Sequence, residues 1–584
     1  MLDLKITGGT LVDGTGAAPF LGDIAIKNGV IVGVGDCPEP AAKTIDASGC
    51  IVTPGFVDIH THYDGQVSWD SDMAPSSIHG VTTVVIGSCG VGFAPCRAND
   101  REKLISLMEG VEDIPGAALA EGIKWGWESF PEFMDAIDAI PHTIDLCTQV
   151  PHDALRVYVM GDRALAEQPA TESDIAEMKR LLGEAMDAGA FGFSTGRSDN
   201  HRSSEGLPTP ASEAHESELI GLAEVFAERD HGALQFVNDF DILAGDEHFE
   251  REFALVEAMV RAGGGRPLSL SLMQRDQSPD QWKWVIEKVD ALREEGLPIH
   301  FQCAPRGIGV ILGLEATFHP FIGFPSYKAI SDLPLAERVA RMNDPEFKAQ
   351  LLTETSEPMA GDGSSIPPLA DMLLQAIEWI AWRVFKLGAV PNYEPELSTS
   401  IGFRANAEGR KALEALYDAL LEDEGTALLY FPIYNYLEGN LENVATMMRH
   451  EAALPGLSDG GAHVGTICDA SFPTFYLTYW VRDRPEGRIP LETAVQWQTQ
   501  RTAEYMGLND RGVLAVGKRA DINVIDLENL SLEPPKLIAD LPAGGKRLMQ
   551  TADGYRATLV AGEVITENGA LTGARPGRVV RSGH

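Results

Sequence analysis

The feature that most narrows the fold is a long middle region in which β-rich runs alternate with helical ones. Val81–Ile86 is a β-branched run ending at Gly87, the texture of a strand buried on both faces. Residues 144–150 repeat it. Thr171-Glu172-Ser173-Asp174 then reads as a capping box, before a helix with apolar positions at Ile175, Met178, Leu181, Leu182 and Ala185. Gly189 ends that helix, and residues 190–195 open another strand. Further strands are expected at 233–237, 268–273, 299–303, 428–431 and 454–458. Repeated strand–helix units imply a parallel sheet, and eight of them close a barrel. With the strand leading into residue 62 the count runs one over, so a strand near residue 300 or 430 falls outside. Residues from about 305 to 425 are too many for a loop and predict a helical insertion over the active-site face.

Both chain ends are β-rich. Leu4-Lys5-Ile6, Asp23-Ile24-Ala25-Ile26 and Val30-Ile31-Val32-Gly33-Val34 read as strands, with Asn28-Gly29 as a hairpin turn. Ala520-Asp521-Ile522-Asn523-Val524-Ile525 and Ala557-Thr558-Leu559-Val560 match them at the far end. The expected fold is therefore α/β: a (β/α)8 TIM-like barrel over 54–509 with a small composite β-sandwich domain. Residues 1–53 and 510–584 would build that domain.

The chain has 584 residues, 44% of them apolar, with a formal net charge of −40 and a pI near 4.6. Such a surface repels nucleic acid and anionic lipid, so a small-molecule substrate is expected, with no nucleic-acid or membrane partner. A homo-oligomer is left open. Seven irregularly spaced cysteines argue against a disulfide framework, and no signal-like N-terminus precedes the first strand. Both point to the cytoplasm.

The strongest chemical signal is Thr53-Pro54-Gly55-Phe56-Val57-Asp58-Ile59-His60-Thr61-His62. Residues two apart on a strand share a side, so His60 and His62 present two imidazoles at the strand's C-terminal end, where barrels place their sites. Neutral imidazole is a common ligand for Zn²⁺. A bare His-x-His also arises by coincidence, and the apolar run before it favours the metal. At the barrel's other end Ser458-Asp459-Gly460-Gly461-Ala462-His463 closes a strand in a Gly-rich turn. Asp459 there could ligate a metal and shuttle a proton, or cap its own turn.

Together with the split β-domain these motifs resemble the amidohydrolase superfamily. Gly87-Ser88-Cys89-Gly90 with Ala94-Pro95, Pro151-His152-Asp153-Ala154-Leu155-Arg156, and the tail from Gly512 to Asp521 resemble its N-acyl-D-amino-acid deacylases. The resemblance implies hydrolysis of a C–N amide bond in an N-acyl (D-)amino acid or related N-acylated amine by metal-activated water. A cyclic amide, lactone or deamination substrate, or a non-catalytic scaffold, are the alternatives. It also implies that Cys89 ligates the metal in place of a carboxylated lysine, which the fourth strand lacks. The family's metal-binding histidines after strands five and six fall near Asn238 and Gln274, and neutral amides are poor zinc ligands. One Zn²⁺, or another divalent transition metal, is therefore expected per chain, held by His60, His62, Cys89 and Asp459. Asp459 would be the proton shuttle, with His152 as a second catalytic candidate or a structural histidine. Arg197, His201, Arg202, Asn238, Gln274 and Arg306 are candidate substrate contacts, the arginines for a carboxylate.

Overall fold

The computed structural model describes every residue except 239, 241–244, 361–365, 367 and 584. Eight strands line up in sequence order as one sheet: β1 (Phe56–Asp58), β2 (Val81–Ile86), β3 (Asp145–Pro151), β4 (Gly192–Gly196), β5 (Ala233–Val237), β6 (Leu268–Ser271), β7 (Ile299–Cys303) and β8 (Ala453–Pro455). Every neighbouring pair is parallel. The ring closes just beyond the strands. Thr61 bridges Gly460 in the parallel sense, and the His62 N–H donates to the Gly460 carbonyl at 2.8 Å.

β2, β3, β4 and β5 are buried at every position, as strands covered by helices on one side and barrel core on the other must be. Each large apolar side chain so buried contributes about 1.5–3 kcal/mol of transfer free energy. The helix Glu172–Asp187 begins at the expected box, where Thr171 Oγ1 accepts from the Asp174 N–H at 3.2 Å. It turns Met178, Leu181, Leu182 and Ala185 inward.

The surplus strand is now assigned. Ile299–Cys303 pairs with β6 and β8 inside the barrel. Leu429–Pro432 instead pairs antiparallel with Gly309–Leu312 and Phe385–Lys386, in a three-stranded sheet of its own. The insertion is thus not purely helical. It combines that sheet with helices such as Leu335–Met342 and Ala412–Gly425 around a separate core containing Phe321, Tyr327, Met342, Tyr417 and Leu420. Residues 361–365 and 367 of the expected insertion lie outside the described residues.

Five strands from the N-terminal end and four from the C-terminal end form a single nine-stranded sheet. Its seam is Ile51–Pro54 paired antiparallel with Ile522–Ile525. Leu4, Ile6, Ile24, Val52, Val524 and Leu559 pack as its core. The turn at Asn28 and Gly29 has φ of 53° and 74°, the left-handed pair that a tight hairpin requires.

Candidate metal centre

Paired strand ends sooner than the sequence indicates, at Asp58 in β1 and Pro455 in β8. His60, His62 and Asp459 therefore project from the loops that continue those strands. Ser458 Oγ locks the two loops together by donating to Asp58 Oδ2 at 2.5 Å. Cys89 follows β2 in a tight turn laid against the end of β4. A Cβ on Gly196 would stand 2.1 Å from the Cys89 carbonyl oxygen, so only glycine admits this approach. Cys89, Leu457, Asp459 and His463 all have left-handed backbone, at φ of 56°, 58°, 49° and 49°. Each such residue costs about 1–3 kcal/mol, a cost the packed surroundings sustain.

Three candidate donors, His60, His62 and Cys89, lie mutually within 4.8 Å, and Asp459 approaches both imidazoles. Cys89 Sγ lies 3.3 Å from His60 Nε2 and 3.7 Å from His62 Nε2. Asp459 Oδ1 lies 3.2 Å and 3.7 Å from the same two nitrogens. Ligands around a tetrahedral zinc stand roughly 3.3–3.8 Å apart, given bonds of about 2.0–2.3 Å. The Cys89 sulfur and the Asp459 oxygen each stand at that spacing from the two imidazole nitrogens. Their protonation fits as well. Gln302 Oε1 faces His60 Nδ1 at 2.8 Å, which places the ring proton there and leaves Nε2 as a lone pair. Burial pulls His60 down to about 4, keeping it neutral. Burial pushes Asp459 up, but the His62 contact and the neighbouring His60 and His463 outweigh it and hold the carboxyl below its usual range. Burial, then Glu112 and Asp459, raise the Cys89 thiol well above its ordinary value. Such a thiol ionises readily only beside a cation, which this donor set is suited to hold.

Several contributors escaped the sequence analysis. Glu112, at the end of the helix Arg101–Glu112, is 1% exposed and brings Oε1 to 3.1 Å from His62 Nδ1. The contact is close enough for an ion pair but not aligned for a hydrogen bond. Its other oxygen is 3.5 Å from His463 Nε2. Nothing in the periodicity of that helix marks Glu112. His463 was visible in the quoted motif, four residues after Asp459. Gln235 and Gln302 sit on β5 and β7 with side chains toward His60. A carboxylate behind a ligating imidazole orients the ring, so Glu112→Gln should weaken metal binding by about 10–100-fold, read by competition with a chromophoric chelator. Unchanged affinity would refute this.

The other predicted residues divide. His201 and Asn238 line the cavity above the donors. Burial pulls His201 down to about 3. Asn238 also donates from Nδ2 to Glu252 Oε2 at 3.1 Å. Gln274 turns away, donating to Glu438 Oε1 at 2.9 Å. His152 is not brought to the centre as a catalytic group. Its Nδ1 pairs with Thr195 Oγ1 at 2.8 Å and its Nε2 with Glu218 Oε1 at 2.9 Å, so both nitrogens are committed. The three arginines do not offer the expected carboxylate grip. Arg197 grips Glu252 through Nε and Nη2 at 2.7 and 2.9 Å. Arg202 donates to the Asp199 carbonyl outside the cavity lining. Arg306 donates to Asp469 at 2.8 Å and stacks over Tyr393 at 3.6 Å. Arg197→Leu should therefore destabilise by about 3–5 kcal/mol, by stranding buried Glu252, and leave KM alone. Denaturant unfolding beside steady-state kinetics separates the two effects; a raised KM with unchanged stability would restore the carboxylate role.

Above the donors opens a cavity of about 250 Å³. His60, Cys89, Asp459 and His463 contribute to its lining, and apolar side chains supply most of the rest.

The amidohydrolase family profile matches residues 43–359 and 423–566. A D-aminoacylase of Alcaligenes xylosoxydans xylosoxydans is 28% identical over 583 residues, covering 99% of this chain and 97% of that one. The solved N-acyl-D-glutamate deacylase of Bordetella bronchiseptica, complexed with zinc and a phosphonate mimic of the tetrahedral intermediate, superposes with a TM-score of 0.63. Identity there is 24%, with 100% of both chains covered. A D-aminoacylase structure described by its binuclear metal centre, with one-metal activation and second-metal attenuation, gives 0.62 at 23% identity over 100% of both chains. These likenesses to solved structures establish the shared fold.

Proposed function

Since the chain belongs to the amidohydrolase family, we propose that it is a metal-dependent hydrolase of C–N bonds other than peptide bonds, cleaving the amide of an N-acyl amino acid or a related N-acylated amine. The observation that carries this is the clustering of His60, His62 and Cys89 within 4.8 Å of one another below the cavity, with Asp459 Oδ1 against both imidazoles. The full-length likeness to a D-aminoacylase supports the amide and a D-configured substrate.

A divalent transition ion, Zn²⁺ or a relative, held by His60 Nε2, His62 Nε2, Cys89 Sγ and Asp459 Oδ1, would polarise the amide carbonyl and acidify water. The remaining work falls to the chain. Gln302 fixes the His60 ring by a hydrogen bond, and Glu112 lies 3.1 Å behind His62 Nδ1, so that both Nε2 atoms face the reacting centre. Asp459, held ionised, accepts the water's proton at its carboxylate and delivers it to the leaving nitrogen. The products are a carboxylic acid and an amine, with no redox change. The apolar walls exclude bulk water and strengthen each of these interactions. One ion per chain is the reading the donor count favours. Seven unpaired cysteines support a cytoplasmic setting; among the described residues no helix is long and apolar enough to cross a membrane.

Amine release from N-acetyl-D- and N-acetyl-L-amino acids, with the metal-replete chain, tests the reading. Turnover of D-substrates that disappears on chelation is expected. No hydrolysis of any N-acyl compound by metal-loaded protein would overturn it.

A further inference from the structure

The family match stops at residue 359 and resumes at 423. Much of the cavity's far wall comes from the stretch between. Leu369, Leu373, Leu374, Ile377 and Ile380 line it from the helices Pro368–Gln375 and Ile377–Ile380. The small insertion sheet adds Val310, Leu312 and Phe431, with Ile433 just beyond it. The barrel side adds Val111, Val237 and Met273. The chamber is therefore apolar on both sides, and the helices that roof it lie outside the matched profile.

Its charged groups are already engaged. Among the described residues lining the cavity, Arg275 is the one lysine or arginine. Its Nη1 donates to Gln281 Oε1 at 3.1 Å and its Nη2 to the Asn238 carbonyl at 2.8 Å. Asp113 accepts from Thr317 Oγ1, Thr466 Oγ1 and the Gly465 N–H. His319 is buried against Tyr327, and burial keeps it neutral with its pKa near 3. A carboxylate entering this space would lose its hydration and meet an arginine whose terminal nitrogens already serve protein acceptors. The net charge of −40 adds a field that disfavours anions at a distance. A hydrocarbon chain loses nothing by entering and removes apolar wall from water.

Resting on the amide-hydrolase reading, we propose that the substrate carries a large apolar acyl group, lodged between the barrel mouth and the insertion, and needs no carboxylate beside the scissile amide. The acyl side is assigned to the chamber because it can be a long hydrocarbon with no charge, whereas the amine side of an N-acyl amino acid carries the carboxylate that this space disfavours.

The test uses the metal-replete full chain with N-acetyl-D-leucine, N-octanoyl-D-leucine and N-octanoyl-D-leucinamide. The octanoyl acid should exceed the acetyl acid in kcat/KM by about tenfold or more, and the carboxamide should stay within about threefold of its acid. Equal or better turnover of the acetyl compound, or a carboxamide about tenfold poorer than its acid, would overturn the proposal. Leu373→Arg and Val310→Arg, on different walls, should each lower the octanoyl-to-acetyl ratio by about tenfold; an unchanged ratio in both would also overturn it. If none of the three compounds is hydrolysed, the amide-hydrolase reading itself has failed. Calorimetry then judges the chamber alone. Binding of N-octanoyl-D-leucinamide tighter than that of N-acetyl-D-leucine supports it, and binding no tighter refutes it.

Discussion

Asp459→Asn should fold normally and lose about three orders of magnitude or more in kcat. The carboxylate has two tasks in one position. Its Oδ1 lies within 3.2 Å of His60 Nε2 and 3.7 Å of His62 Nε2, inside the spacing of a metal shell. Its ionised form is the proton carrier for the attacking water and the leaving amine. Asparagine keeps the shape and removes both the charge and the basicity. The side chain's buried contacts are with the His60 and His62 imidazoles, which the amide of asparagine can still meet, so the thermal midpoint should change little. Kinetics must be read on protein whose metal content has been measured, because weakened binding would mimic lost catalysis. Near-normal turnover by a metal-loaded Asp459→Asn chain would remove Asp459 from the mechanism.

Exhaustive dialysis against a chelator should abolish turnover, and about one equivalent of Zn²⁺ per chain should restore it. His60, His62 and Cys89 lie mutually within 4.8 Å, and Asp459 Oδ1 stands against the two imidazoles. A second ion would need its own ligands, and the positions expected to supply them hold neutral amides. Asn238 donates to Glu252, Gln274 donates to Glu438, and neither amide carries charge to offset the dehydration of an ion. His201 and His463 line the cavity and could add weaker contacts, so excess metal should bind loosely. Elemental analysis beside an activity titration measures this directly. A titration in which activity follows a second tightly held equivalent would show that the ligand set is incomplete.

The sequence by itself determined the barrel, the two-ended sheet and the pairing of His60 with His62 that the structure brings beside Asp459. All three are written in local chemistry. β-branched runs such as Val81–Ile86 can only be buried strands, His60 and His62 share a face by the two-residue period, and Asn28-Gly29 must turn. Cys89 became legible only through family resemblance, because a lone cysteine in the Gly-Ser-Cys-Gly turn after a strand has no period to read. Tertiary structure decided the rest. Which of two candidate strands entered the barrel depended on pairing partners far away in the chain, with Ile299–Cys303 taken between β6 and β8 and Leu429–Pro432 left to the insertion. The roles of Arg197, Arg202, Arg306 and His152 were likewise set by partners distant in sequence or by a loop turned outward. An arginine's reach is known from its type, but whether Glu252 or Asp469 already occupies it is not. Glu112 shows the same limit from the other side. It lies 50 residues beyond His62 on an ordinary helix, and only the close packing of that helix against the barrel mouth brings its carboxylate to His62 Nδ1. Local pattern fixes what a residue can do; the long-range packing of the chain fixes what it meets.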